Sequence, residues 1–187
     1  MRVGIFDLEM TSLSADSGII LCASHMPYMG KRKDIVTIRA DKFPSWKNNK
    51  SNNGEVVAAI MKDLTKYDIL VAHNGQRFDK PFLNAMCLKY GIKPELRYVK
   101  FIDPCQLAWR HLRMHRNSLA ALQAFLNIPV SKSPVAFEHW LKAGLDGNKK
   151  SMDYIVEHCE LDVLVLDAVY DATRTLVKRI DDGGGAF

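Results

Sequence analysis

The sequence predicts an α/β domain: a mixed central sheet of about five strands flanked by helices. Three observations carry that prediction. Short apolar runs bounded by turn residues recur through the first half of the 187-residue chain. Segments with apolar residues every three or four positions are interleaved with them. From Asp103 onward only the helical period persists, so the sheet is complete before the last helices are made. The length suits one domain with a real core, which the sequence places at residues 1–180. The remaining stretch, 181–187, is acidic and then glycine-rich, and it reads as a disordered tail.

Arg2–Asp7 reads as a buried strand, Ile19–His25 as a second and Ile35–Arg39 as a third. Turn-rich Asp16–Gly18 and basic Lys31–Asp34 separate them, as in an antiparallel meander. Polar Lys47–Asn53 reads as a loop. Gly54–Tyr67 then places Val57, Ile60, Met61 and Leu64 at helical spacing. Ile69–Ala72 is a short buried strand. Pro81–Tyr90 is a helix closed by Gly91, a residue suited to a left-handed cap. Tyr98–Ile102 reads as a further strand. Asp103 followed by Pro104 is an N-cap with proline at the first helical position. Ser118–Leu126, Val135–Leu141 and Met152 to about Lys178 continue as helices.

The formal charge of +5 and the pI near 9.0 point to a polyanionic partner. Three basic runs are candidate phosphate contacts: Lys31–Lys33, Arg110–Arg116 and Lys149–Lys150. Most such runs are solvated faces, and one of the three is expected to touch nucleic acid. Cys22, Cys87, Cys105 and Cys159 are scattered and form no C-x-x-C pair, so they read as reduced thiols of a cytoplasmic protein. No signal peptide and no apolar stretch of transmembrane length is seen, and no membrane partner is expected.

The chemistry-bearing residues fall in three segments. In the first strand Asp7 and Glu9 lie at i and i+2, so both carboxylates face the same way. Such a pair repels unless a positive charge lies between its members, and a hard divalent cation is the natural one. Surface acids at a strand end are the plainer reading of this pair taken alone. In the second segment, after the strand ending at Ala72, Asn74, Phe78 and Asp79 follow the spacing N-x-x-x-F-D. Separately they would read as a turn residue, a core ring and a helix N-cap. In the third, His158 and Asp162 lie at i and i+4 on the last helix and share one face, although Glu157 and Glu160 beside them also suit a solvated surface.

Together and in this order, the three segments resemble the DEDD exonucleases of the ribonuclease H-like superfamily, which include the proofreading domains of DNA polymerases. Phe6–Glu9 is similar to the first family motif, Asn74–Asp79 to the second and Tyr154–Val163 to the third. Small stand-alone bacterial and phage members show the nearest likeness, through Thr11–Asp16, Phe101–Pro104 and Asn117–Leu122. The resemblance runs from about residue 3 to residue 178, and it implies a ribonuclease H-like fold.

The resemblance also implies an activity: hydrolysis of the terminal phosphodiester at the 3′ end of nucleic acid, with single-stranded DNA favoured over RNA. The catalytic set carried over is Asp7, Glu9, Asp79, His158 and Asp162. The four acids would hold two divalent ions, Mg²⁺ or Mn²⁺, since the donors are hard oxygens. Met10, Thr11, Leu13, Asn74 and Phe78 would contact the substrate, with Phe78 stacking on a terminal base and Leu13 wedging between bases. A polymerase or a replication or repair factor acting in trans is the implied protein partner. If the chain is phage-encoded, it would work in the host cytoplasm. Two other readings stand beside this one: a structure-specific endonuclease or ribonuclease on the same fold, and a catalytically silent nucleic-acid-binding module.

One position departs from the family pattern. One branch places tyrosine four residues before the last aspartate, and the other places histidine five before it. This chain has a histidine, His158, at the tyrosine spacing. One residue along a helix turns a side chain by about 100°, so His158 is not equivalent to the histidine of the second branch. A tyrosine with a pKa near 10 mainly orients water, whereas an imidazole with a pKa of about 6.5 can accept its proton. His158 is therefore the expected general base or water-orienting group.

Overall fold

The computed structural model describes residues 1–130 and 136–177. Five strands form one sheet: β1 (Val3–Met10), β2 (Ile20–Pro27), β3 (Val36–Arg39), β4 (Ile69–Val71) and β5 (Lys100–Ile102). Their spatial order is β3-β2-β1-β4-β5. The first three strands form the expected antiparallel meander, while β4 joins β1 in parallel and β5 joins β4 in parallel. The sheet is thus mixed, with β1 at the junction between its antiparallel and parallel parts. Parallel pairing requires crossovers, and the helices supply them.

Those helices are α1 (Pro44–Asn48), α2 (Gly54–Leu64), α3 (Asp79–Lys89), α4 (Pro104–His111), α5 (Leu119–Phe125), α6 (Glu138–Leu141) and α7 (Lys149–Thr173). A π-helical turn, Lys142–Asp146, joins α6 to α7. Alternation along β1 divides the core. Phe6 and Leu8 pack with Val57, Ile60 and Leu64 of α2 and with Leu83 and Met86 of α3. Ile5 packs with Leu107 of α4, Leu122 of α5 and Val163 to Val169 of α7. The long α7 contributes to both clusters, since Met152, Ile155 and Cys159 of its first half fall in the same cluster as the α2 and α3 residues. Among the described residues no helix is long and apolar enough to cross a membrane. All four cysteines are free thiols.

Some boundaries differ from the expected ones for identifiable reasons. Part of the polar loop expected at Lys47–Asn53 belongs to α1, which Pro44 opens and the buried Trp46 anchors. The strand expected from Tyr98 begins only at Lys100, because Glu95–Tyr98 is a 3₁₀ turn that leaves the Tyr98 ring exposed beside the Arg97 guanidinium. The helix expected from Pro81 already starts at Asp79. The helix expected to open at Val135 begins at Glu138, and Val135 itself lies outside the described residues, as do Lys178 and the expected tail at 181–187. Gly91 does adopt the left-handed conformation, with φ of 67°, just past α3. Asp103 caps α4 by accepting the Cys105 N–H, with Pro104 at the first position.

Candidate active site

Asp7 and Glu9 sit in the second half of β1, where they oppose Ser24 and Cys22 of β2. Both belong to the β1 face that carries Ile5. The register breaks between Glu9 and Met10, so regular alternation stops just after the second acid. Thr11 then seals the strand exit. Its N–H donates to the Ile19 carbonyl (3.0 Å), and its Oγ1 accepts the Ile19 N–H (2.9 Å). Gly144 of the π turn lies against Thr11: a Cβ there would come within 2.4 Å of the threonine methyl, so only glycine allows this approach.

The second segment is delivered by a tight turn after β4. Asn74 takes a left-handed conformation (φ 60°), and Gly75 has no room for a side chain, because a Cβ would lie 2.3 Å from that of Ala72. The Phe78 N–H returns to the Asn74 carbonyl at 3.1 Å and the Lys80 N–H to the Gly75 carbonyl at 2.9 Å. Asp79 is thereby the buried first residue of α3, and the preceding Phe78 makes no side-chain cap. The N-cap alternative for Asp79 is not what the structure shows. Burial holds the Asp79 carboxyl well above the usual carboxylate range, and the nearby Asp7 charge pushes it further. Phe78 is half-buried, with the Arg77 guanidinium 5.4 Å from its ring centroid.

The third segment lies on the half of α7 that crosses β1. The Cys159 thiol points at the Asp7 carbonyl (3.6 Å), which registers helix against strand. His158 projects between two acids: its Nε2 is 3.9 Å from Glu9 Oε1 and 3.7 Å from Asp162 Oδ2. With only 21% of its side chain exposed, His158 does not belong to a solvated face. Glu157 is exposed and Glu160 accepts the Thr37 hydroxyl (2.9 Å), so these two acids point elsewhere.

Two residues not singled out as site residues help to build the site. Trp140 of α6 donates its indole N–H to Glu9 Oε2 at 2.7 Å and sets its ring edge-on to His158, with centroids 5.9 Å apart. Asp103, fully buried at the end of β5, accepts the Asn74 N–H (2.7 Å) as well as the Cys105 N–H (3.0 Å). The cap was legible in the sequence. The reach to Asn74 was not, because it crosses from one strand end to the next.

Beside Glu9 runs a cleft of about 630 Å³, lined by Met10 to Ser14 together with Phe137 and Trp140. Leu13 stands in its wall with 62% of its surface exposed. Of the substrate candidates, Leu13 and Met10 face this cleft, and both polar backbone and side-chain groups of Thr11 named above are used inside the fold. Asn74 and Phe78 belong to the turn that leads into Asp79.

The sheet also sorts the basic runs. The acids lie toward the C-terminal end of β1. Lys31–Asp34 follows the end of β2 that pairs with the opposite end of β1, and Arg32 is 4.0 Å from Glu157. Helix α4, capped by Asp103 at the end of β5, packs through Leu107 and Ala108 on the later half of α7, so Arg110 and the segment to Arg116 follow at the helix end remote from Asp103. Lys149 and Lys150 instead open α7, directly after the π turn that touches Thr11.

Among the described residues no three His, Cys, Asp or Glu side chains already stand in a ligating arrangement. The donor chemistry nonetheless fits a hard divalent cation. Asp7, Glu9, Asp79 and Asp162 offer carboxylate oxygens, and the Asp79 carboxyl, raised first by burial and then by the Asp7 charge, is one that a cation would help to ionise.

A family model described as the RNase H superfamily matches residues 5–174. Among solved structures, the family B DNA polymerase from the hyperthermophilic archaeon Pyrobaculum calidifontis is similar, with a TM-score of 0.67 at 13% identity. The match covers 100% of this chain and 27% of the polymerase chain, and at that identity it is a likeness of fold. No curated protein matches the chain.

Proposed function

The chain belongs to the RNase H superfamily, a nuclease fold, and from that membership we propose that it is a metal-dependent 3′–5′ exonuclease acting on single-stranded nucleic acid, with DNA favoured. The observation that carries the reading is the placement of His158 between Glu9 of β1 and Asp162 of α7. Three separated segments thus bring the same four acids and one imidazole to one end of the sheet.

RNase H-like nucleases generally use divalent metal ions. Held by Asp7, Glu9, Asp79 and Asp162, two such ions (Mg²⁺ or Mn²⁺) would neutralise the phosphodiester, activate water and stabilise the leaving 3′ oxygen. The protein's own residues account for the rest. His158 Nε2, set between Glu9 and Asp162, would take or orient the proton of the attacking water. Leu13 and Met10 border the cleft that receives the terminal nucleotide, Asn74 bonds the strand, and Phe78 stacks on a base. The likeness to part of a DNA polymerase supports a role beside a polymerase acting in trans.

The test is a nuclease assay on 3′- and 5′-labelled single strands of DNA and RNA with Mg²⁺ or Mn²⁺. Wild type is expected to release mononucleotides from the 3′ end and to stall on a blocked 3′ end, with DNA degraded faster. Asp7→Ala should lose activity by at least about a thousandfold, since it removes charge that a two-metal site requires. Internal cleavage of the blocked strand would instead identify an endonuclease. Binding without any product would identify a silent module.

A further inference from the structure

Resting on the metal reading above, we infer that Trp140 is a positioning residue of the acidic site, fixing through its indole N–H the direction in which Glu9 presents its carboxylate. The bond from Nε1 to Glu9 Oε2 is 2.7 Å and well shielded, since the Glu9 side chain is 13% exposed. An indole has one donor and no acceptor, and it neither titrates nor ligates metals. It can therefore orient the carboxylate without competing for a cation. Each carboxylate oxygen has more than one lone-pair site, so a single N–H leaves Oε2 able to accept further and leaves Oε1 directed toward His158, 3.9 Å away.

The indole is itself held from two sides. Phe137 stacks on it with planes 19° apart and centroids 6.5 Å apart, and His158 meets it edge-on. Trp140 thus ties α6 to both β1 and α7 at the point where a strand acid and a helix histidine meet. Partners of this kind, which orient a metal-binding group from behind, typically change metal affinity or activity by about 10–100-fold when removed. A merely structural indole would have its N–H satisfied by the nearest acceptor, and its loss would change stability but not metal affinity.

The experiment is a Mn²⁺ titration of the full chain without nucleic acid, read by the electron paramagnetic resonance of free Mn²⁺. Trp140→Phe keeps an aromatic ring and deletes the donor. It should bind Mn²⁺ about 10–100-fold more weakly than wild type while still melting cooperatively. Phe137→Ala, which removes one support of the indole but leaves the N–H, should weaken Mn²⁺ binding less than Trp140→Phe does. In parallel, the indole N–H resonance of wild-type Trp140, assigned with Trp46→Phe and Trp109→Phe variants, should shift as Mg²⁺ is added and saturate with it. Wild-type Mn²⁺ affinity in Trp140→Phe, or an indole resonance that stays in place at saturating Mg²⁺, overturns the inference. A wild-type protein that binds no Mn²⁺ overturns the metal reading itself, and this inference with it.

Discussion

Asp79 shows most directly what the site costs the fold. Its carboxyl is buried and faces the Asp7 charge, so ionising it is unfavourable. A raised folded-state pKa means that this carboxyl favours the folded state below the ordinary carboxylate pKa. That contribution is lost as pH rises through the folded value. Without metal, the charged form is therefore a burden at neutral and alkaline pH. Asp79→Asn, measured by thermal melting in EDTA near pH 8, should melt about 3 °C above wild type, the shift that roughly 1 kcal/mol produces in a chain of this size. The gain should shrink as the pH is lowered toward the carboxylate range. A variant that melts below wild type at both ends of the scan would contradict this account.

At the scale of elements, the site depends on how strand ends connect. Helix α3 delivers Asp79 only because the preceding turn accepts a left-handed Asn74 and a glycine with no space for a Cβ. Asp103, at the end of the neighbouring strand, secures that turn and caps α4 with the same oxygen. Asp103→Ala loses a cap and strands a buried N–H, and together these should cost about 2–4 kcal/mol in urea unfolding. Asp103→Asn retains the accepting oxygen and should recover most of the loss. Equal destabilisation by both variants would mean that the charge, not the acceptor, matters there. The expected β5 start at Tyr98 failed for a related reason: Pro94 leads into a 3₁₀ turn, and local turn chemistry prevailed over an apolar run.

Across the whole molecule, the acids gather where β1 has an antiparallel neighbour on one side and a parallel neighbour on the other. Strand ends, the helices that follow them and α7 meet there, and Lys149 and Lys150 open α7 just after the turn that packs on Thr11. The net charge of +5 is consequently less informative than its distribution. Binding of a single-stranded oligonucleotide should weaken with salt. Lys149→Glu combined with Lys150→Glu should reduce the log–log slope by about 1, near the value for losing one or two phosphate contacts. Arg113→Glu with Arg116→Glu, in the segment between α4 and α5, should leave the slope unchanged. The reverse result would move the nucleic-acid path to the other end of the sheet.

The sequence by itself determined the mixed sheet, the meander, the Asp103 cap, the Gly91 stop and the acid-bearing segments, because these depend on local periodicity, turn chemistry and short spacings. It could not show that Trp140 reaches Glu9 across 131 residues, that Asp103 holds Asn74, or that His158 turns inward between two acids rather than outward with Glu157. Nor could it show which basic run follows the turn that packs on Thr11. Those facts belong to the tertiary structure alone: a helix face or an indole has no partner until packing brings a distant element against it.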